Sequence, residues 1–314
     1  MSERKRPVAL VEAALLTTLA IIFTFVGTYI PFLGFFLTIV AVPLALVGIR
    51  HGLGVLGTSV VVAGLLGTMI GGLPTGVSVM LVSGSASLFI TYCYLHKWST
   101  SHTVIGLSIV SIITFSISFQ LLIVISGINF FELMDASMQK TIEMMKAFPI
   151  GSSQSEEMIA SMEFLTETTK MIFPSVLFVV GVLQAILNIV VLRFVMKRLK
   201  MPFIEGEPFN QFSFDKSVLI GTSLILGLSY LAGVMGIVNL VTLFVNVLII
   251  VAFVFSIQGI AVMDFFLASR GAKPGMRIFF TALLYFLLNG YIFYGIVGWF
   301  DIIFNFRKLG REDH

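Results

Sequence analysis

Residues 52–76 read GLGVLGTSVVVAGLLGTMIGGLPTG, with eight glycines set among Leu, Val, Ile and small hydroxyl side chains. Each glycine costs a helix about 1 kcal/mol relative to alanine, so a soluble helix would not carry so many. In lipid the balance changes, because helices associate there through close van der Waals contact and small residues permit it. At 100° per residue, Gly57, Gly64, Thr68 and Gly71 fall within about 60° of one another. They form a smooth face along which a second helix can approach closely, and the glycine-rich turn GGLPTG (71–76) follows.

The rest of the chain agrees with a lipid setting. Of 314 residues, 58% are hydrophobic and 11% charged, and the mean hydropathy is +1.05. Soluble domains carry about 25% charged residues. So much apolar surface cannot be hidden inside a water-facing globule, which makes this an integral membrane protein. Backbone polar groups in lipid must be satisfied within the chain, so the long apolar runs read as helices. The expected fold is all-α, a polytopic bundle of about nine transmembrane helices near 8–30, 32–49, 53–71, 75–95, 104–126, 171–194, 217–236, 238–267 and 278–299. The stretch WFDIIFNFRKL (299–309) leaves an alternative of eight crossings plus an interfacial C-terminal helix. The apolar run after MSERKRP is longer than a signal-peptide h-region and lacks a small-residue cleavage site, so the first span is expected to be retained. One cysteine, Cys93, excludes an intrachain disulfide.

Positive charge sets the orientation. With the N-terminus inside, cytoplasmic segments hold Arg4, Lys5, Arg6, Arg50, Lys97, Arg193, Lys197, Arg198, Lys200, Lys216, Arg270, Lys273 and Arg277, while Lys140, Lys146 and Lys170 fall outside. This follows the positive-inside rule and places the N-terminus of a multi-pass membrane protein in the cytoplasm. Nine crossings would put Arg307, Lys308 and Arg311 outside, against the rule. An interfacial last helix keeps them in.

Three regions are expected. Residues 1–200 form a six-span bundle, 201–216 a polar cytoplasmic linker, and 217–314 a three-span bundle. Within the first, the external segment 127–170 carries seven carboxylates against three lysines. Phe131, Met134, Met138, Ile142 and Met145 recur at helical spacing and predict an amphipathic helix. Ser153 and Glu156 suggest a capping box opening a second helix that runs into the sixth span. The two helices are read as a lid over the outer face or as a surface ornament.

The first span repeats the small-residue theme. Ala13, Thr17, Ala20, Thr24 and Gly27 make a continuous stripe. Together with Gly57, Gly64 and Gly71 it either packs inside the bundle or docks to a partner membrane protein. Ionisable residues stay near predicted span ends, where snorkelling reaches the headgroups, so proton coupling through a buried carboxylate is not expected. Gln184 and Asn188, Asn239 and Asn246, and Gln258 are neutral and lie within or at the ends of spans, where interhelical hydrogen bonding is the plain reading. No P-loop, zinc-protease or nucleophile–base pattern is present, so no catalytic residues, metal ligands or cofactors are assigned, and an enzyme is not expected.

Six spans in about 200 residues, the small-residue first helix, PLALVGIRHGLGVLG (43–57) and the glycine-rich external turn resemble the substrate-binding S components of energy-coupling-factor transporters. The whole chain, through SIQGIAVMDFFL (256–267) and WFDIIFNFRK (299–308), resembles the YybS-type family of bacterial membrane proteins. The first resemblance implies a solute site near the outer side, with Gln120, Gln184 and Asn188 under the 127–170 segment and Tyr29 and Phe32 closing over it. It also implies that the first-helix stripe docks to a coupling subunit. The expected function is a solute-binding subunit for a small neutral or aromatic compound that relies on partner proteins for energy. The alternative is a membrane scaffold or assembly factor that binds other membrane proteins or lipids. Nothing in the chain calls for nucleic acid.

Overall fold

The computed structural model describes residues 5–127, 129–147, 152–203, 208–287 and 289–309, and all regular structure within them is helical. The helices are α1 (Lys5–Tyr29), α2 (Phe35–Thr38), α3 (Ala41–His51), α4 (Leu53–Ser78), α5 (Ser85–Leu95), α6 (Thr100–Ser126), α7 (Phe130–Ala147), α8 (Ser152–Arg198), α9 (Ser217–Val234), α10 (Leu240–Ser269), α11 (Pro274–Leu287) and α12 (Gly290–Phe304). A π-helical segment, Val79–Gly84, joins α4 to α5.

Six helical segments among the described residues are long and apolar enough to cross a membrane, or seven if the bent pair α11–α12 counts as one. The expected count of nine is therefore not reached as nine separate helices, and three places account for the difference. The second span is broken into α2 and α3. The third and fourth run as one helical segment, Leu53–Leu95. The last is the bent pair.

The Leu53–Leu95 segment answers the question of the glycines. Gly71 (φ −121°, ψ 18°) and Gly72 (φ 77°, ψ 178°) leave helical geometry. The positive φ at Gly72 is open to glycine and strained for other residues. The chain then folds back on itself. A Cβ on Gly76 would strike Thr68 and lie 2.7 Å from the Gly64 carbonyl oxygen, one on Gly64 would strike Met80, and one on Gly84 would lie 2.6 Å from Val60. Pairs 68/76, 64/80 and 60/84 share one centre, Gly72, so the two arms are antiparallel. The glycines let their backbones meet.

Contacts divide the chain into two compact units, Met1–Thr166 with Val180–Gly206, and Glu167–Val179 with Glu207–His314. In the first unit, Ala20, Val40, Leu44, Leu56, Val60, Ala63 and Val79 form one core cluster, and Ile39, Ala45, Ile90, Leu107, Ala185, Ile189 and Leu192 belong to another. α6 turns its apolar side outward: Ile105, Ile109, Ile113 and Ile117 are exposed while Thr103, Leu107, Ser108 and Ser111 are buried. That inversion suits a helix with lipid on its outer face. α7 forms as predicted, and Phe131, Met134, Met138, Ile142 and Met145 are its less exposed face. α8 runs 47 residues, with Pro174 inside it, into the sixth span. The capping-box side chains of Ser153 and Glu156 lie outside the described residues.

Candidate functional site

Each unit holds a buried polar centre. In the first it sits where the second span breaks. Pro43, in the first turn of α3, has no N–H and disfavours helical backbone in the residue before it. The chain passes this point on short i→i+3 links, Ile39 N–H to Phe36 C=O at 3.2 Å and Val42 N–H to Ile39 C=O at 3.0 Å. The Thr38 carbonyl is left to find another donor, and Asn188 Nδ2 supplies it at 2.8 Å. The same nitrogen donates to the Gln184 backbone carbonyl, also at 2.8 Å. Two bonds donated by one nitrogen fix the orientation of the Asn188 amide.

This leaves Asn188 Oδ1 and Gln184 Oε1 buried with no donor among the described residues. Gln184 is 3% exposed and Asn188 0%. Their chain neighbours Ala185 and Ile189 belong to the apolar core with Ile39, Val42 and Leu107. Among the described residues, no buried side chain of this unit is charged.

The other residues expected at a solute site are not gathered here. Gln120 is exposed on α6. Phe32 is fully exposed with a φ of 68°. Tyr29 donates its hydroxyl to the Ile70 carbonyl at the end of the first hairpin arm. On α1, Ala13, Thr17, Ala20 and Thr24 are all buried. Thr17 and Thr24 return their hydroxyls to Ala13 and Ala20 carbonyls, and Ala20 packs on Leu56, Val60 and Ala63. Gly64 and Gly71 are taken up by the hairpin, whereas Gly57 faces open space. At the start of α1, Glu12 pairs with Arg50 and approaches His51 at 3.1 Å, tying α1 to the end of α3. Burial, and then the Arg50 guanidinium, push the His51 imidazole below its usual range.

The second unit holds two polar joints. Pro174 lies inside α8, and beside it Asn246 of α10 enters the helical hydrogen-bond ladder. Its Oδ1 accepts from Ser175 N–H at 2.9 Å, and its Nδ2 donates to the Met171 carbonyl at 2.7 Å. The amide thus stands between the donor and acceptor that an unbroken helix would pair. Asn239 caps α10 by accepting from Thr242 N–H at 3.0 Å.

The second joint is charged. Asp301 Oδ2 accepts from Arg307 Nη2 at 2.8 Å, from Arg307 Nε at 3.2 Å and from Gln258 Nε2 at 2.7 Å. Gln258 Oε1 accepts from Phe214 N–H at 2.9 Å, and Arg307 Nη1 donates to the Asn210 carbonyl at 2.9 Å. The side chains of Arg307 and Asp301 are 0% and 2% exposed. By sequence, Asp301 falls just past the last predicted span (278–299) and Arg307 in the tail. The three side chains come from 256–267 and 299–308, the two C-terminal stretches singled out by sequence. They meet here. α10 also pairs Asp264 with Arg277, whose Nε donates at 2.7 Å.

The family described as "Predicted membrane protein (DUF2232)" matches residues 18–302. The chain belongs to that family. A relative, "Uncharacterized protein YybS" of Bacillus subtilis (strain 168), is 25% identical over 266 residues, covering 83% of this chain and 85% of the relative. No solved structure matches the chain significantly. As a family member, this protein is a multi-pass helical membrane protein.

Proposed function

We propose that the protein is a solute-binding subunit that holds a small, uncharged, hydrogen-bond-donating compound at the broken second span and depends on a partner for energy. The observation that carries this reading is the pair of buried amide oxygens, Gln184 Oε1 and Asn188 Oδ1, that face no donor. Leaving a buried acceptor empty costs about 1–3 kcal/mol. A ligand N–H or O–H would recover that cost. Irregular backbone at membrane depth is tolerated where it is buried in protein or lines a cavity, and interrupted helices of this kind form solute sites in transporters. The absence of buried charge in this unit favours an uncharged ligand. With no P-loop in the sequence, energy would come from elsewhere.

The scaffold reading retains the exposed acidic α7 as a surface. It loses the α1 stripe, which the chain's own helices cover. In the orientation favoured by positive charge, the N-terminus is cytoplasmic and the membrane is the bacterial plasma membrane.

The test is thermal unfolding of the purified protein against uncharged vitamins and nucleosides. A true ligand at 100 times its Kd stabilises by about 2.7 kcal/mol. A panel without any shift, from protein that still unfolds cooperatively, contradicts the reading.

A further inference from the structure

The last helical pair decides on which side the chain ends, and four observations bear on it. First, length. α11 has 14 residues and α12 has 15. At 1.5 Å per residue each reaches about 21–23 Å, short of the ~30 Å hydrocarbon core. They are bent by 112°, so they do not add up to one straight crossing.

Second, direction. A Cβ on Gly295 would lie 2.9 Å from the Ala252 carbonyl oxygen, and one on Gly298 would strike the Phe255 carbonyl. Gln258 meets Asp301 one turn further on. The pairs 252/295, 255/298 and 258/301 advance together along both helices, so α12 runs in the direction of α10, crossing it closely where a Cβ on Gly259 would strike the Tyr294 carbonyl. Two parallel helices head for the same membrane face. α11, which lies between them in the chain, must therefore leave that face and α12 return to it. Consistent with this turn-back, Tyr294 of α12 donates its hydroxyl to the Thr281 carbonyl of α11 at 3.0 Å.

Third, the exit. Arg307, just past α12, donates to the Asn210 carbonyl, and Gln258 accepts from Phe214. The polar strap 208–216 that precedes α9 thus sits at the end where the tail emerges. Fourth, charge. Lys216, Arg270, Lys273 and Lys308 are exposed and belong to the segments at this end. The positive-inside rule assigns such an end to the cytoplasm. A tail that crossed to the far face would break that pattern.

We propose that α11 and α12 form a re-entrant hairpin, entering and leaving the bilayer on the face that carries the strap, with Gln258, Asp301 and Arg307 sealing its mouth. The Asn289 tip then stops short of the opposite face, and the C-terminus shares a side with the strap. This inference is independent of any solute site in the other unit.

The test uses single cysteines in the full-length protein, in a Cys93→Ser background, with a membrane-impermeant maleimide applied to right-side-out and inverted vesicles. Gln211→Cys reports the strap, Lys308→Cys the tail, Val238→Cys the loop between α9 and α10, and Asn289→Cys the tip. The expected result is labelling of positions 211 and 308 from one face and of 238 from the other. Position 289 stays unlabelled from the face that labels 238. Labelling of 308 and 211 from opposite faces overturns the proposal. So does labelling of 289 from the face that reaches 238.

Discussion

Glycine in this chain has two environments, and they predict opposite mutational outcomes. At Gly76 a methyl would strike Thr68 and crowd the Gly64 carbonyl, and at Gly298 it would strike the Phe255 carbonyl. Backbone cannot retreat as a flexible side chain can. Gly76→Ala and Gly298→Ala are each expected to lower stability by about 1–3 kcal/mol or more through overpacking. Gly57 has open space around it, so Gly57→Ala should be neutral or stabilising by up to about 1 kcal/mol. Thermal unfolding in detergent compares the three directly. The sequence made the small-residue faces legible, because their period is helical. It could not say which partner each face meets, since that depends on where Gly72 turns the chain. The buried ion pair was hidden for a related reason. Asp301 and Arg307 sit beyond the clear hydrophobic pattern, and only the fold brings Gln258 to them. Arg307→Ala strands a buried carboxylate and should cost about 3–5 kcal/mol, whereas replacing both charges with leucine should recover much of that. A double-mutant cycle measures the difference.

At the scale of elements, prolines in helices are matched by amides from neighbours. Pro43 ends the helical run before α3, and Asn188 takes up the spare Thr38 carbonyl. Pro174 lies inside α8, and Asn246 enters the hydrogen-bond ladder beside it. Asn246→Ala should therefore leave Ser175 N–H and Met171 C=O unpaired at a cost of about 1–3 kcal/mol. Pro174→Ala in that background should restore part of the stability by allowing the helix to close its own bond. An equal loss in both backgrounds would mean that Asn246 acts elsewhere. The sequence made α7 and the run of α8 into a span legible, because amphipathic period and unbroken apolar length are local properties. The broken second span and the bent last pair were less so. Each carries enough apolar residues for a crossing, and composition does not register direction.

At the scale of the molecule, the protein consists of two helical units, each with a polar centre inside an apolar shell. The centres differ in chemistry. The second is charged: Asp301 Oδ2, Gln258 and Arg307 are tied together and to the strap, while Asp301 Oδ1 is buried without a partner among the described residues. The first is neutral and presents two acceptors with nothing to accept. The difference in charge is why the proposed site for an uncharged ligand is placed in the first unit.

The most direct measurement is the stability of Gln184→Met, an apolar side chain of nearly the same shape, without ligand and with any compound that stabilises the native protein. If the Gln184 amide is held in reserve for a ligand, the variant should be as stable as the native protein or about 1 kcal/mol more stable when empty, and should lose the ligand-induced shift. A variant that unfolds more readily when empty yet keeps the full shift would show that the amide serves the fold alone, and would contradict the account.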